Sequence, residues 1–340
     1  MAYLDKQFSN FYSEICISAE ADELRRKRDL LKEDIEKHLP DNLDDIDVDV
    51  NKSDFEFINQ GSYSIHTTIK NPYGPVDLDY AVIIPIDISE CEDTRAVKKA
   101  VKDALSHVSA RTVNIKEPCV TVSYYVGDDE DTHIDFPVYA KYNGNLYLAR
   151  GKEFSTEGNY FWEDADPKGL NKYFNDYLNG NDALRKTIRY IKKWKQEKYK
   201  NSTNDAEVPP SVALTIFACE NFVEKDHDIL SIYETLKAIK NKFCISRDAN
   251  DNITYIDITC NLPVKPYGDV LYKMRNSDTH LITFYNRLCK AVNYLDTAIS
   301  LEDEHEAGKY VQYVLGSKFE VPEKKAKQRV TSSYRENSFG

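Results

Sequence analysis

The sequence has no apolar run long enough to cross a membrane and no secretion signal at its start. Its longest apolar runs, such as residues 81–86, have the length of a buried strand, whereas a membrane-spanning helix needs about 20 apolar residues. The first residues lack the basic stretch and apolar run of a signal peptide. We therefore expect a soluble, cytoplasmic protein with no membrane contact.

The cysteines are too scattered to form a metal site or a disulfide framework. All 7 stand singly, without a Cys-x-x-Cys pair and without a nearby Cys/His cluster of zinc-ligand spacing. Such cysteines are typically buried, reduced thiols. The sequence therefore predicts no zinc module.

Basic residues are outnumbered by acidic ones. The chain carries 57 Asp and Glu against 45 Lys and Arg, a formal net charge of −12. Proteins that hold duplex nucleic acid usually present a broad basic surface. We therefore expect no DNA or RNA activator. Any nucleotide that the chain binds must be held by a local site rather than by a broad basic surface.

The chain is long enough for about two domains, with 340 residues of which 41% are hydrophobic. Its first half mixes strand and helix patterns. The expected elements are a helix near residues 20–38, a solvated acidic loop over 41–49, strands over 55–58 and 76–84, a helix over 94–108, and a hairpin formed by 119–126 and 133–139 around a loop at 127–132. A second turn is expected at Asn143 and Gly144.

The second half has long helical periods separated by loops rich in Pro and Asn. Helices are expected over residues 184–199, 211–222, 229–240, 278–299 and 304–315. The last residues are polar and without periodicity, as is typical of a flexible tail. We therefore predict a core with an N-terminal helix over residues 1–160, a helical domain over 161–320, and a flexible tail over 321–340.

A pair of acids lies at the start of the predicted strand 76–84, and a third lies on a later strand. Asp77 and Asp79 stand two residues apart, so both carboxylates face the same side of the strand. Like charges this close are costly unless a cation lies between them, which favours an oxygen-seeking ion such as Mg²⁺. Asp135 lies in an otherwise apolar segment. Three such carboxylates can hold two metal ions and clamp the attacking and leaving oxygens of a phosphoryl transfer.

Gly61 and Ser62 precede the acids, directly after Gln60 at the end of a predicted strand. A glycine lets the backbone approach a phosphate closely, and backbone amides with a serine hydroxyl can cradle a triphosphate where a helix begins. A Gly-Ser turn alone is commonly just a turn, and an Asp-x-Asp pair alone is often a solvated strand edge. Their order and strand context together favour a nucleotidyltransferase site.

This arrangement resembles the DNA polymerase β-like nucleotidyltransferases, in which a Gly-Ser pair is followed by Asp-x-Asp and a distant third acid. The gap between the motifs is slightly longer here than usual. Within that superfamily the chain is similar to the cyclic GMP-AMP synthase and bacterial CD-NTase group, because its second half carries matching motifs. These lie at residues 184–194, 209–215, 262–264 and 271–274. The resemblance spans about residues 50–320 and implies an α+β fold, with a mixed twisted sheet, a C-terminal helical domain and a cleft between two lobes.

The resemblance also implies the roles of the site residues. The three acids would hold two Mg²⁺ ions, for which Mn²⁺ can substitute, and Asp135 would deprotonate the attacking hydroxyl. The residues that would bind the nucleotide are Gln60, Gly61, Ser62, Lys192, Lys193 and Ser211. The alternative for each lysine is a solvated helix face. Tyrosines such as Tyr63, Tyr139 or Tyr190 are candidates for stacking on bases, since an aromatic face accepts any base.

The activity implied is the joining of ATP, with GTP or other ribonucleoside triphosphates, into a cyclic di- or trinucleotide resembling cyclic GMP-AMP, with release of pyrophosphate. Bacterial members make such second messengers in anti-phage (CBASS) signalling, where the product alone reaches the downstream effector. Two alternatives stay open. One is a linear oligoadenylate synthase or an RNA-end nucleotidyltransferase; the other is an inactive nucleotidyltransferase fold used as a binding module.

The chain ends in Gly340. A C-terminal glycine carboxylate can enter a narrow adenylating site without a side-chain clash. In some bacterial operons a CD-NTase is joined through its last residue to other molecules by a ubiquitin-transfer-like enzyme. The resemblance therefore makes Gly340 a candidate conjugation site, and the alternative is a terminus with no such role.

Overall fold

The computed structural model describes residues 1–17, 19–127 and 129–325 of the chain. The predicted conjugation site at Gly340, and residues 326–340 of the predicted tail, lie outside the described residues. Residues 321–325 are described and have no regular secondary structure. The domain boundaries predicted at residues 160 and 320 stay predictions.

The first half of the chain forms a mixed eight-stranded sheet. Its strands are β1 (Glu56–Gln60), β2 (Val76–Ile84), β3 (Thr112–Ile115), β4 (Val120–Val126), β5 (Asp129–Phe136), β6 (Val138–Tyr142), β7 (Asn145–Arg150) and β8 (Phe161–Ala165). Strand β2 lies at the centre, since it pairs antiparallel with β1 and parallel with both β5 and β6. The strand order is β3-β4-β5-β2-β6-β7-β8, with β1 beside β2.

Two of the helices in the first half of the chain cover one face of this sheet. The helices of the first half are α1 (Asp5–Ile15), α2 (Ala19–Asp44), α3 (Gly61–Ser64) and α4 (Thr94–Leu105). Leu78, Val82 and Ile84 of β2 are fully buried in one core with residues of α2 and α4. Because side chains alternate along a strand, Asp77 and Asp79 face the opposite side, away from this core.

The acidic loop expected over residues 41–49 is shorter than predicted, because α2 continues past Pro40. Ile35, Leu39 and Leu43 are each 0% exposed and extend the buried stripe of the helix at four-residue spacing. Proline removes one backbone hydrogen bond from a helix. Burial of these side chains against the sheet outweighs that loss.

Of two turns predicted from the sequence, one lies where it was expected and the other is shorter than expected. Asn143 and Gly144 adopt positive φ angles of 48° and 78° and connect β6 to β7, as predicted for an Asn-Gly hairpin turn. The loop expected over 127–132 is wrong in length, because β5 already begins at Asp129. Thr132 is 5% exposed and pairs with Tyr124 of β4, so the acidic character of this segment did not prevent strand pairing.

The second half is predominantly helical, as predicted. Its elements are α5 (Pro167–Leu178), α6 (Asp182–Tyr199), α7 (Ser211–Asn221), α8 (Asp228–Lys240), β9 (Cys244–Arg247), β10 (Ile253–Asp257), α9 (Tyr272–Arg275), α10 (Asp278–Ser300) and α11 (Glu304–Leu315). The antiparallel pair β9 and β10 was not predicted. Within the described residues, no helix combines the length and apolar character that crossing a membrane requires.

Helix α1 packs with the second half of the chain rather than with the sheet. Phe8 and Phe11 are buried among Tyr190 of α6 and Phe319, which follows α11. The described residues thus form two large cores, one beneath the sheet and one among the helices. The predicted α+β fold class is confirmed by this architecture.

Candidate active site

The central strand and its parallel neighbour bring the three predicted acids together. Asp77 and Asp79 lie on β2 and face the side of the sheet that α2 and α4 leave open. In the register of β2 and β5, Asp79 stands beside Asp135 and Asp77 beside His133. Because neighbouring residues in register point the same way, all four side chains share one face.

Asp77, His133 and Asp135 form a compact set of metal-ligand atoms. One ligand atom from each lies within 4.8 Å of the others, and His133 Nε2 is 3.0 Å from Asp77 Oδ1. The Thr121 hydroxyl donates a hydrogen bond to Asp135 Oδ1. Burial lowers the pKa of His133, but the hydrogen bond and charge of Asp77 and the charge of Asp135 outweigh it, so the pKa is raised. The sequence analysis missed His133, although His133-x-Asp135 repeats the spacing of Asp77-x-Asp79.

Asp79 is less exposed than Asp77. Burial, and then the charges of Asp77 and Asp135, raise the pKa of Asp79 to about 8. Burial and the neighbouring charges therefore disfavour the charged form of Asp79, and a divalent cation beside the acids would offset that cost. Carboxylate oxygens are suitable ligands for Mg²⁺ or Mn²⁺, so the acids present fit a metal centre.

Gly61 allows Asp79 to take this position. Its φ angle is +60°, and a Cβ atom at Gly61 would lie 2.0 Å from Asp79 Oδ2. Only glycine therefore fits here, for reasons of both backbone conformation and space. The next residue, Ser62, is the second residue of the short helix α3, and its hydroxyl lies 3.1 Å from the Thr68 hydroxyl.

Two lysines of α6 face these acids from the helical half. Lys192 Nζ donates to the Thr67 hydroxyl at 2.9 Å, and Lys195 Nζ donates to the Ser211 hydroxyl at 2.8 Å. Burial, followed by the charge of Lys195, lowers the pKa of Lys192 to about 7. Burial likewise lowers the pKa of Lys195 to about 8. Lys195 was not predicted, but its spacing of three from Lys192 places both on one helix face.

Lys193 lies on another side of α6, and the structure does not bring it to the acids. Its Nζ is 2.9 Å from Glu197 Oε1 and lies over the ring of Tyr73 at 5.5 Å. Glu197 also accepts a hydrogen bond from the Tyr73 hydroxyl at 3.0 Å. The contacts of Lys193 therefore connect α6 to the loop before β2. The nucleotide-binding role of Lys193 stays a prediction.

The acids and lysines border a cleft with two connected chambers. The lysine chamber, of about 430 Å³, is lined by Ser62, Asp77, Lys192, Lys195 and Ser211 among others. The sheet chamber, of about 870 Å³, is lined by Gln60, Tyr139, Leu148, Arg150, Glu163 and residues of the loop before α9, among others. Gly61, Asp79 and Asn171 line both. The two chambers therefore meet at the predicted catalytic centre.

The candidate stacking tyrosines have different surroundings. Tyr139 lines the sheet chamber, where its hydroxyl accepts a hydrogen bond from Gln60 Nε2 at 3.1 Å. Tyr63 accepts a hydrogen bond from Arg25 Nε at 3.2 Å. Tyr190 is 0% exposed in the helical core, with its hydroxyl bonded to Asp228 at 2.8 Å. Of the three, Tyr139 is the one that lines a chamber.

Residues 55–139 match the family model described as the cyclic GMP-AMP synthase DncV-like nucleotidyltransferase domain. A curated relative, the cyclic GMP-AMP synthase of Vibrio cholerae serotype O1, is 22% identical over an alignment of 309 residues, which covers 77% of this chain and 67% of that protein. The matched range contains Gly61, Ser62 and all three predicted acids.

Solved structures share the fold across nearly all of the chain. The crystal structure of V. cholerae DncV cyclic AMP-GMP synthase with the linear intermediate 5′ pppA(3′,5′)pG has a TM-score of 0.68 at 16% identity, covering 92% of this chain and 96% of that one. The Escherichia coli DncV structure with 3′-deoxy GTP has a TM-score of 0.67 at 17% identity, covering 92% and 97%. Residues 55–139 thus match a DncV-like nucleotidyltransferase domain, and the chain as a whole shares the fold of the DncV synthases.

Proposed function

We propose that this chain joins ribonucleoside triphosphates, ATP and GTP among them, into a cyclic di- or trinucleotide and releases pyrophosphate. The observation that carries the proposal is the cleft itself. Asp77 and Asp79 line it with Gly61, Ser62 and two lysines where two chambers join, and Asp135 stands beside Asp79 in the sheet. The V. cholerae relative is named a cyclic GMP-AMP synthase. A structure similar to this chain holds a linear dinucleotide intermediate, which supports a reaction in two rounds.

The lysine chamber binds the donor triphosphate. A triphosphate carries close to four negative charges, and Lys192, Lys195 and the hydroxyls of Ser62 and Ser211 line this chamber together. The sheet chamber binds the acceptor nucleotide and, in the second round, the turned linear intermediate. Because the chambers meet at Asp79, the acceptor hydroxyl reaches the α-phosphorus of the donor there.

The acids would hold the metal, and Asp135 would move the proton. Asp77, Asp79 and Asp135 would hold two Mg²⁺ ions, for which Mn²⁺ can substitute, and His133, which groups with Asp77 and Asp135, is a further ligand candidate. When bound, these cations lower the pKa of the attacking hydroxyl and neutralise charge on the phosphates. Asp135 takes the proton from the acceptor ribose hydroxyl, whose oxygen forms the new bond to the α-phosphorus while pyrophosphate leaves. Closing the ring repeats the step within the intermediate.

Incubation with ribonucleoside triphosphates tests this proposal. Purified protein with all four radiolabelled triphosphates and Mg²⁺ or Mn²⁺ is expected to form a product that resists phosphatase, and omission of one nucleotide at a time names its bases. The D77N/D79N variant is expected to form none. A matched control is D131N, which removes an exposed acid of the same strand as Asp135 that pairs with Lys27 at 3.3 Å.

Other products decide between the alternatives. A ladder of phosphatase-sensitive oligomers would replace the proposal with a linear synthase. If the wild type binds nucleotides but forms no product under any of these conditions, the fold acts as a binding module. A D77N/D79N protein that keeps its biological role would lead to the same conclusion.

The biological setting is proposed from the resemblance to the CD-NTase group. We place the reaction in the bacterial cytoplasm, in anti-phage (CBASS) signalling, with the product as the link to an effector. Cells that carry the wild-type gene and its operon are expected to resist phage, and cells with D77N/D79N to lose that resistance.

Conjugation at Gly340 by a ubiquitin-transfer-like enzyme is tested by intact mass after coexpression. An unmodified mass, with no effect of deleting Phe339 and Gly340, would remove that part of the proposal.

A further inference from the structure

One face of the sheet forms the floor of the sheet chamber. In the registers of β6 with β7 and of β7 with β8, Tyr139, Leu148 and Glu163 stand side by side in one row. Arg150 lies two residues beyond Leu148 and therefore shares their face. Arg150 and Glu163 are diagonal neighbours across β7 and β8, a separation that long side chains bridge.

Arg150 is held between two carboxylates. Its Nη2 donates to Glu117 Oε1 at 2.6 Å, whereas its Nη1 is 3.7 Å from Glu163 Oε2, which is too long for a hydrogen bond. All three side chains line the sheet chamber. Arg150 Nε is buried and has no hydrogen-bond partner among the described residues. Glu117 therefore anchors the guanidinium, and Glu163 keeps its oxygens for another donor.

A buried lysine fixes the backbone beneath this group. Lys98 is 0% exposed, and its Nζ donates to the carbonyls of Glu117 at 2.8 Å and Gly151 at 2.6 Å. The Thr94 hydroxyl donates to the Arg150 carbonyl at 2.6 Å. Burying a lysine is costly unless its hydrogen bonds are satisfied. The positions of Glu117 and Arg150 are thus set by helix α4 rather than by a mobile loop.

The charges of this group indicate which part of a nucleotide it contacts. Two carboxylates around one guanidinium leave a net charge of −1, which repels phosphate, and the lysine chamber already offers cations for it. A nucleobase edge rich in donors is attracted instead. Guanine presents N1–H and an N2 amino group beside the O6 acceptor, whereas adenine, cytosine and uracil each present fewer donors on that edge.

We infer that Arg150 and Glu163 select guanine in the sheet chamber. Glu163 accepts hydrogen bonds from guanine N1–H and the N2 amino group, Arg150 donates to O6, and Glu117 positions Arg150. This inference rests on the proposed function, since it names the base that one of the two joined nucleotides carries. Tyr139 lies between this edge and the reaction centre, because it stands in one row with Glu163 and lines the chamber together with Asp79 and Arg150.

The first test uses the wild-type protein and needs no variant. Inosine triphosphate keeps O6 and N1–H but lacks the N2 amino group. We expect kcat/KM for GTP to exceed that for inosine triphosphate by about 10–100-fold, as a lost hydrogen bond to a charged group predicts. Equilibrium binding of the two nucleotides, measured by calorimetry, is expected to show the same preference. Equal use and equal binding of both would overturn the inference.

Substitution of Glu163 tests the assignment directly. We expect E163Q to lower kcat/KM for GTP by about 10–100-fold, to lower it by a smaller factor for inosine triphosphate, which offers Glu163 only N1–H, and to leave use of ATP nearly unchanged, so that the discrimination narrows. The matched control is E153Q. Glu153 is 29% exposed and pairs with Lys102 at 2.8 Å, while Glu163 is 28% exposed, but Glu153 does not line the sheet chamber. Unchanged discrimination in E163Q, or its equal loss in E153Q, would contradict the assignment.

The outcomes separate this inference from the proposed function. A phosphatase-resistant product that contains no guanine, or one whose bases are unaffected by E163Q, leaves the cyclic nucleotide synthase standing and removes guanine selection by Glu163. If the wild type forms no product, the proposed function fails, and the calorimetric comparison of GTP with inosine triphosphate still decides the inference.

Discussion

The two sides of the cleft carry opposite charges, and the pKa values of their side chains are shifted in opposite directions. On the sheet side, burial and the neighbouring acids raise the pKa of Asp79 to about 8. On the helical side, burial lowers the pKa of Lys192 to about 7 and of Lys195 to about 8. Each side holds like charges in a partly desolvated place, and each is shifted towards its neutral form. A nucleoside triphosphate with its divalent cation carries both signs of charge, so one ligand restores the charged forms on both sides.

The largest effect is expected from a methyl group on the sheet side, in G61A. The added Cβ would lie 2.0 Å from Asp79 Oδ2, so Asp79 must move, and a displacement of about 1 Å at a reacting centre can cost roughly 10²-fold. We expect synthesis to fall by about 10²–10³-fold in steady-state assays.

The control for Gly61 is G180A. Gly180 also has a positive φ, +72°, but a Cβ there has no neighbour within 4 Å. It therefore carries the backbone strain without the clash. An equal loss of synthesis in both variants would mean that the position of Asp79 is not what Gly61 protects.

Neutralising the lysines tests the helical side. We expect K192M and K195M each to raise KM for the donor triphosphate by about 10–100-fold, with a smaller effect on kcat, because they remove a charge that binds phosphate. The control K186M removes a lysine of the same helix that is 39% exposed and lies 3.9 Å from Asp228. A fall in kcat with unchanged KM would instead place Lys192 or Lys195 in the chemical step.

The same lysines predict a pH dependence. A lysine binds phosphate in its charged form, which Lys192 and Lys195 lose as pH rises through about 7 and about 8. The triphosphate is therefore expected to bind more weakly at pH 9 than at pH 6, and less steeply so in K192M. Binding of a metal-free triphosphate, followed by calorimetry, separates this trend from the opposite one expected for metal binding at Asp79.

Lys193 is expected to contribute to stability, whereas its neighbour Lys192 on α6 is expected to bind the triphosphate. K193M breaks the 2.9 Å pair with Glu197, leaving a carboxylate that is 6% exposed with Tyr73 and Lys200 as its partners. We expect the thermal midpoint to fall by about 3–8 °C while KM for the triphosphate stays within about twofold. A large rise in KM would show that Lys193 binds the nucleotide, as the sequence left open.

The smallest effect is expected where the sheet side meets helix α5. Glu56 accepts hydrogen bonds from Lys141 and Lys168, which lower its pKa from 4.5. A depressed folded-state pKa means that this stabilisation is present above pH 4.5 and is lost as pH falls through the lower, folded value. Since these side chains are partly exposed, E56Q is expected to lower the thermal midpoint by about 1–2 °C at pH 7. The difference should vanish once the pH is low enough to protonate Glu56 in the folded state as well.

The sequence predicted elements with strong periodicity and missed those with weak signals. Strand β2 and helix α11 begin and end at the predicted residues. Helix α5 was missed because few of its residues are buried, although Asp166 caps it and Pro167 occupies its first turn. Strands β8, β9 and β10 are only 5, 4 and 5 residues long and most of their side chains are not buried, so the alternating hydrophobic pattern that identifies a strand in a sequence is weak in them.

For the candidate site, the sequence indicated the residues of the strands better than those of the helices. Asp77 and Asp79 share a face because strand side chains alternate, and that needs no knowledge of the rest of the fold. The choice between Lys192 and Lys193 depends on how α6 is rotated against the sheet, which tertiary packing decides. Arg150 and Glu163 come together through the register of two strands, so no local pattern announces them.

The contact of Phe8 and Phe11 with Phe319 has a consequence for synthesis on the ribosome. Helix α1 is among the first segments to emerge, yet its aromatic partner is made near the end of the described chain. At elongation rates of about 5–20 residues per second, Phe319 is added roughly tens of seconds after α1. A nascent chain released before residue 319 therefore lacks one of the two aromatic partners of Phe8 and Phe11, and their rings are less completely covered against proteases and chaperones.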